Sequence, residues 1–199
     1  MTASFRALTD DIQTRRRALR DQALAAREAL SPASRAALVR QLEAHLDDLV
    51  AVLQPRVLAF CWPYRAEPDL RDWMEHWLAA DATRSAALPV VLERDAPLIF
   101  RCWHPGAPLQ TDRHGIPFPA EGAAVVPDVV LVPLNAFDAQ GFRLGYGGGY
   151  FDRTLAVMKT LTVGVGFELG RVESVLPQAH DQAMDWLLTE AGAFRAGAV

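Results

Sequence analysis

Between Arg143 and Arg153 the chain runs Arg143-Leu144-Gly145-Tyr146-Gly147-Gly148-Gly149-Tyr150-Phe151-Asp152-Arg153, with four glycines in five positions ahead of a stretch of helical character. Glycine has no Cβ, so successive backbone N–H groups can turn toward one anion, and a helix start adds partial positive charge at the same spot. Such a loop suits phosphate. The spacing is not Walker A, because no Gly-Lys-Ser/Thr follows, and not the dinucleotide fingerprint, because Tyr150 stands where the third glycine would be. Bare glycines also allow a turn without a ligand. Here Arg143, Tyr146, Tyr150 and Asp152 add a cation, aromatic surface and a candidate metal ligand to the same short run.

The elements around this loop must place it. Residues 125–133 are the most strand-like run in the chain, residues 151–159 read as a helix, and residues 162–167 read as a strand. Strand, loop, helix and strand in that order imply an α/β layered sheet that is at least partly parallel. In such sheets ligands sit beyond the carboxyl ends of the strands, where the glycine loop falls. Upstream, Ile12, Leu19, Ala23, Ala26 and Leu30 recur at helical spacing, and Ser31-Pro32 then opens a second helix, which predicts an N-terminal helical hairpin over about 9–53. The apolar run at 56–62, set between prolines, reads as a buried strand. Residues 69–80 read as a helix with Leu70, Trp73, Trp77 and Leu78 on its apolar side, 88–92 and 97–103 as strands, and 104–122 as irregular. With 199 residues a single domain is expected, its α/β core spanning about 55–190.

Composition narrows the function. The chain is 51% apolar and 22% charged, as a folded protein is, and its net charge of −4 argues against nucleic acid as the main partner. The dense basic run of Arg15, Arg16, Arg17 and Arg20 is diluted by Asp21 and Glu28. No apolar stretch approaches the ~20 residues that span a bilayer and no leader is visible, so the expectation is a cytoplasmic protein without a membrane partner. Cys61 and Cys102 lack zinc or disulfide spacing and read as reduced, buried fillers, and the five histidines form no cluster motif.

A wider set of residues carries a family resemblance. Val132-Pro133-Leu134-Asn135-Ala136-Phe137-Asp138, then Gly141, the run from Arg143 to Arg153 and Leu155, resemble the signature of the 5-formyltetrahydrofolate cyclo-ligases, also called methenyltetrahydrofolate synthetases. Arg16, Leu19-Arg20 and Arg27 resemble the family's basic helix. Pro63 and Glu67 resemble the proline and glutamate after its first strand, and His180-Asp181, Asp185 and Thr189-Glu190 its C-terminal motif, so the likeness runs from about residue 12 to 190.

The resemblance implies a layered, largely parallel α/β sheet flanked by helices (NagB/RpiA/CoA transferase-like). It also implies ATP- and Mg²⁺-dependent closure of 5-formyltetrahydrofolate to 5,10-methenyltetrahydrofolate by a monomer. Carried over residue by residue, it makes Arg143, Tyr150 and Asp152 catalytic. ATP would be held by Arg16, Arg20, Arg143, Leu144, Gly145, Tyr146, Gly147, Gly148, Gly149, Tyr150 and Phe151. The folate would meet Trp62, Glu67, Tyr146, Gly147, Gly148, Gly149 and Tyr150, and Asp152 and Asp181 would hold Mg²⁺. From the residues alone, Asp152 reads also as a first-turn helix acid, Asp181 as a turn residue, Arg16 and Arg20 as a solvated face, Trp62 as core and Glu67 as a helix-start acid. Three positions depart from the family: Arg16 replaces lysine, Asn135 a glycine or small apolar residue, and Phe151 a tyrosine. The competing readings are a sugar-phosphate isomerase or transferase of related fold, and a folate- or nucleotide-binding protein without turnover.

Overall fold

Strands buried on both faces need apolar residues at every position, and the run 129–132 supplies them. In the computed structural model, which describes residues 2–197, the chain forms helices α1 (Thr2–Glu28) and α2 (Pro32–Leu53), strand β1 (Val57–Ala59), helix α3 (Arg71–Ala79), and strands β2 (Ser85–Val90) and β3 (Ile99–Trp103). Strands β4 (Leu109–Thr111), β5 (Pro117–Pro119), β6 (Ala124–Val125), β7 (Val129–Pro133), β8 (Ala136–Phe137) and β9 (Arg143–Leu144) lead to helix α4 (Tyr150–Val157). Strand β10 (Leu161–Val165), a 3-10 turn (Glu168–Gly170), and strands β11 (Trp186–Thr189) and β12 (Gly192–Arg195) complete the described chain.

Eight strands form one sheet in the order β12-β11-β10-β7-β1-β2-β3-β6. The middle five, β11 to β2, are parallel, and β12, β3 and β6 add antiparallel edges. Side chains alternate between the two faces. Leu58, Val129, Leu131 and Val163 pack with Leu42, Leu46 and Leu49 of α2 and Trp73, Met74 and Trp77 of α3. Ala59, Val130, Val132 and Leu187 pack on the other face, where Phe151 and Leu155 of α4 cover them. This is the layered, mostly parallel α/β sheet that the sequence predicts.

Helix α2 begins where Ser31 accepts a bond from the Ser34 amide ahead of Pro32, and ends at Gln54 in a left-handed conformation. Its neighbour α1 lies elsewhere. Helix α1 packs on β8 and the 3-10 turn, with Ala23 against Ala136, Leu144 and Val175, whereas α2 packs on β11 and β12. The two N-terminal helices therefore follow each other in sequence but cover different parts of the core.

Other boundaries move for identifiable reasons. The run 125–133 divides: β6 pairs antiparallel with β3, and Asp128 interrupts, its side chain accepting the Arg56 and Val57 amides at 2.9 and 2.8 Å. The stretch 104–122 contains the β4–β5 hairpin, closed by the Asp112 carboxylate on the amides of His114 and Ile116. β8 and β9 form a two-stranded ribbon whose turn is built on Asp138, which is 3% exposed. Its Oδ1 accepts the amides of Gln140 and Phe142, and its Oδ2 accepts that of Val175.

Asp138→Ala should leave three backbone donors without their acceptor and destabilise the fold by about 3 kcal/mol, with Asp138→Asn costing less. Urea denaturation followed by circular dichroism reads this directly; an Asp138→Ala midpoint equal to wild type would refute it.

Candidate active site

Three loops that leave the carboxyl ends of adjacent parallel strands meet at one end of the sheet. The loop after β1 carries Trp62 to Glu67, the segment after β7 carries the β8–β9 ribbon and the glycine loop, and the segment after β10 carries Asp181 and Gln182. Helix α1 lies across them through its arginines.

The glycine loop bends through Gly147 at φ +91° and Gly149 at φ +65°, values that a side chain disfavours. Gly149 is the N-cap of α4 and offers no side-chain acceptor, so the first-turn amides are left facing the loop. Arginines converge on it. Arg20 Nε donates to Gly145 O at 2.6 Å, and Arg153 Nη2 donates to Gly148 O at 2.7 Å with its guanidinium 5.0 Å over the Tyr150 ring. Arg113, on the β4–β5 hairpin, donates to the Tyr150 hydroxyl at 3.1 Å. Arg143 is buried, donates to Gln182 O at 2.8 Å, and lies 3.2 Å from Asp152 Oδ1. Burial pulls its pKa down while Asp152 pushes it back up. Burial also lowers Arg20, and the field of Arg16 adds to that.

Both predicted metal carboxylates are here, each beside an arginine. Asp152 Oδ1 accepts the Gln182 amide at 3.1 Å, and its Oδ2 takes no hydrogen bond among the described residues. Asp181 is gripped by both Arg16 nitrogens at 2.6 and 3.1 Å and by the Gln178 amide at 2.7 Å. Burial pushes the Asp181 carboxyl up, but the Arg16 and Gln178 bonds outweigh it and hold it below the usual range. Among the described residues no cluster of three or more His, Cys, Asp or Glu could hold a metal by itself. A pair of carboxylates nevertheless fits Mg²⁺, which is ordinarily bound by one or two carboxylates together with substrate phosphates. Asp152 has an oxygen free for this, whereas Asp181 would first have to part from Arg16.

At the other end of the loop, Tyr146 reaches Glu67. Its hydroxyl accepts from Arg27 Nη2 at 2.7 Å and donates to Glu67 Oε1 at 2.7 Å, while the Tyr64 amide donates to Oε2 at 3.0 Å. Glu67 is 6% exposed, and burial raises its pKa against the opposing bonds from Tyr146 and the charge of Arg27. Arg27 also donates to Arg65 O and Leu134 O. Arg65 and Ala66 adopt left-handed backbone at φ 47° and 63°, a strain that this bonding holds in place. Cys61 and Cys102 are both half-buried rather than the buried fillers expected, and the Cys61 thiol is pushed well up, first by desolvation and then by Glu67.

The structure thus gathers Arg16, Arg20, Glu67, Arg143, Gly145 to Tyr150, Asp152 and Asp181. Leu144 is 1% exposed within the α1 contact, and Phe151 faces the sheet from α4, so their side chains serve the core and leave only backbone for a ligand. Trp62 is half-buried against the core, with Arg71 4.8 Å over its ring. Sequence reasoning assigned no role to Arg27, Arg113 or Arg153. Arg27 stands in the run that resembles the family's basic helix and follows Arg16 by eleven residues, about three helical turns, on the same face, which is the signal for its role. Arg113 had no signal in a stretch read as irregular. Asn135, a departure from the family, is buried with neither side-chain amide atom bonded among the described residues.

The sequence pattern of the 5-formyltetrahydrofolate cyclo-ligase family matches residues 12–190. The 5-formyltetrahydrofolate cyclo-ligase of Escherichia coli K12 is 30% identical over 173 residues, covering 82% of this chain and 93% of that protein. The Haemophilus influenzae enzyme of the same name is 36% identical over 91 residues, 42% of this chain and 48% of that one. Among solved structures, the 5,10-methenyltetrahydrofolate synthetase of Aquifex aeolicus superposes with a TM-score of 0.79 at 31% identity, covering 92% of this chain and 94% of that chain. The Mycoplasma pneumoniae synthetase, at 23% identity and a TM-score of 0.70, shares the fold over 88% of this chain and 98% of its own. With the match spanning nearly the whole described chain and taking in the glycine loop, Glu67 and Asp181, the protein belongs to the 5-formyltetrahydrofolate cyclo-ligase family.

Proposed function

We propose that this chain closes 5-formyltetrahydrofolate to 5,10-methenyltetrahydrofolate at the expense of ATP, forming a C–N bond and releasing ADP and phosphate. The observation that carries this reading is the arginine-ringed glycine loop joined through Tyr146 to a buried carboxylate. It offers a phosphate site and a heterocycle site side by side. A sugar-phosphate enzyme would have no use for the second.

An N-formyl amide is a poor electrophile. Transfer of the γ-phosphoryl group breaks its bond to ADP and forms one to the formyl oxygen, which leaves the formyl carbon iminium-like. The N10 lone pair then attacks that carbon, the C–O bond breaks with loss of phosphate, and the N10 proton leaves to give the methenyl ring. The protein's share is positioning and neutralisation of charge. Loop amides and Arg20 would cradle the phosphates, and Arg143 would stand behind the transferring group. Arg16 would trade Asp181 for a phosphate oxygen. Glu67 would accept the N–H groups of the pterin. Mg²⁺ held by Asp152 and Asp181 would supply further neutralisation of phosphate charge. The reading places the reaction in one monomer, without nucleic acid or membrane; among the described residues no helix is long and apolar enough to cross one.

Incubation with 5-formyltetrahydrofolate and Mg-ATP should produce the methenyl chromophore and one phosphate per turnover. A folded sample that binds both substrates and forms neither product would leave only the binding-protein reading. Asp152→Asn should lower turnover by orders of magnitude while the protein still folds, with a changed magnesium dependence. Unchanged kinetics would remove Asp152 from the site.

Arg16→Ala should raise the Michaelis constant for ATP about ten- to hundredfold, with Arg16→Lys recovering much of it. It should also destabilise the fold, because Asp181 is left buried without its counter-charge. Arg17 is exposed on the same helix, so Arg17→Ala is the control. Equal, small effects of Arg16→Ala and Arg17→Ala would show that Arg16 does not meet the nucleotide.

Glu67 provides a pH test. Its pKa is raised, so the carboxylate is protonated at higher pH than an ordinary glutamate, and folate held by the ionised form is lost as pH falls through that raised value. KM for the folate should therefore climb on the acid side above the usual glutamate range. Glu67→Gln should have a high KM without that limb, and an unchanged limb in Glu67→Gln would assign it to another group.

A further inference from the structure

We infer that the Tyr146 hydroxyl is a latch that couples the two substrate sites; this rests on the ligase reading. Tyr146 belongs to the glycine loop, yet its hydroxyl is bonded to Glu67 and Arg27, which belong to the heterocycle end. The Tyr146 and Tyr64 rings meet edge to face at 5.3 Å between centroids. Glu67 is 6% exposed, while Tyr146 above it is 41% exposed. A ligand that is to reach the Glu67 carboxylate must therefore displace Tyr146. Its ring packs on Tyr64 and the carbonyl of the preceding Gly145 is held by Arg20, so displacing the ring pulls on the loop. Folate entry then moves the loop.

The latch explains two otherwise separate facts. It gives a partner to the third donor group of Arg27, whose other two bonds hold the strained 65–66 backbone and Leu134 O. It also gives the buried Glu67 a donor before substrate arrives, without which an ionised carboxylate would be poorly solvated. On folate binding the pterin N–H groups replace the tyrosine hydroxyl on Glu67, Tyr146 is released, and the loop amides become free to close on phosphate. Folate therefore raises ATP affinity and, by linkage, ATP raises folate affinity by the same factor. Tyr146 acts here as a positioning residue through the loop and through Glu67.

Tyr146→Phe keeps the ring and removes only the hydroxyl. In the ligand-free protein, backbone NMR order parameters over 145–149 should be lower in Tyr146→Phe than in wild type, with the central strands unchanged. Titration with an ATP analogue whose γ-phosphoryl cannot transfer, with and without 5-formyltetrahydrofolate, should show folate tightening the analogue about tenfold in wild type and about onefold in Tyr146→Phe. The variant should bind folate alone more tightly than wild type, because nothing has to be displaced from Glu67. A purely structural role for the hydroxyl would weaken folate binding. Equal order parameters in the two proteins, the same coupling in both, or no coupling in a wild type that binds both ligands would overturn the latch and leave the ligase reading standing. A wild type that binds neither ligand would overturn both.

Discussion

Like charges crowded into a half-buried site repel, and the arrangement around the glycine loop is governed by how that repulsion is answered. Two unit charges about 6 Å apart cost about 3 kcal/mol at an effective dielectric of about 20, and here Arg16, Arg20, Arg143 and Arg153 converge with Arg113 at the rim. Each is held by an acceptor of its own: Arg16 by Asp181, Arg20 by Gly145 O, Arg143 by Gln182 O and Asp152, and Arg153 by Gly148 O. Because the Gly145 and Gly148 carbonyls belong to the loop, their bonds fix its path as well as the charges. Helix α1 contributes apolar contacts through Leu19, Ala23 and buried Leu24, and its arginines add bonds to the segments after β1, β7 and β10, so docking α1 also assembles the site.

Topology explains why these groups can meet at all. β1, β7 and β10 are neighbours and parallel, so the segments that leave their carboxyl ends emerge on one side of the sheet. Glu67, the glycine loop and Asp181 are far apart in sequence and follow these three strands in turn. The same segments hold non-glycine residues in left-handed backbone, Arg65 and Ala66 after β1 and Leu176 after β10. Such conformations persist where surrounding bonds over-determine them, and here Arg27 Nε on Arg65 O and Arg16 Nη1 on Leu176 O do so.

What could be read in advance follows from the range of each interaction. The strand-loop-helix unit around the glycines was legible because its signals are local: a continuous apolar run, glycines and a helical period. So was the buried strand after Pro55. The β8–β9 ribbon was not, since its two strands are two residues each and its turn depends on Asp138 reaching Val175 across 37 positions. β11 and β12 carry too little alternation to stand out, and the separate docking of α1 and α2 is a tertiary matter that a short Ser31-Pro32 link suggests only as a hairpin. At the site, Arg143, Asp152, Asp181 and Glu67 were legible as residue types in a family order. Their present partners were not, because an Arg16–Asp181 pair or a Tyr146–Glu67 bond leaves no mark in spacing.

The net charge of −4 and the ring of arginines are two sides of one selectivity argument. A polyanion is attracted by basic surface spread over tens of ångströms, and that surface is lacking where Asp21 and Glu28 interrupt the basic run of α1. A small, dense anion is attracted by a few cations aimed at one point with backbone amides behind them, which is the arrangement at Gly145 to Gly149. On the proposed reading, the acidic remainder of the protein leaves the near field of the loop unaltered, since screening removes most long-range charge beyond about 8 Å at physiological salt. On the proposed reading, concentrating the positive charge rather than adding to it would let an acidic protein hold phosphate, and it requires the acceptors that keep the arginines together in the ligand-free protein.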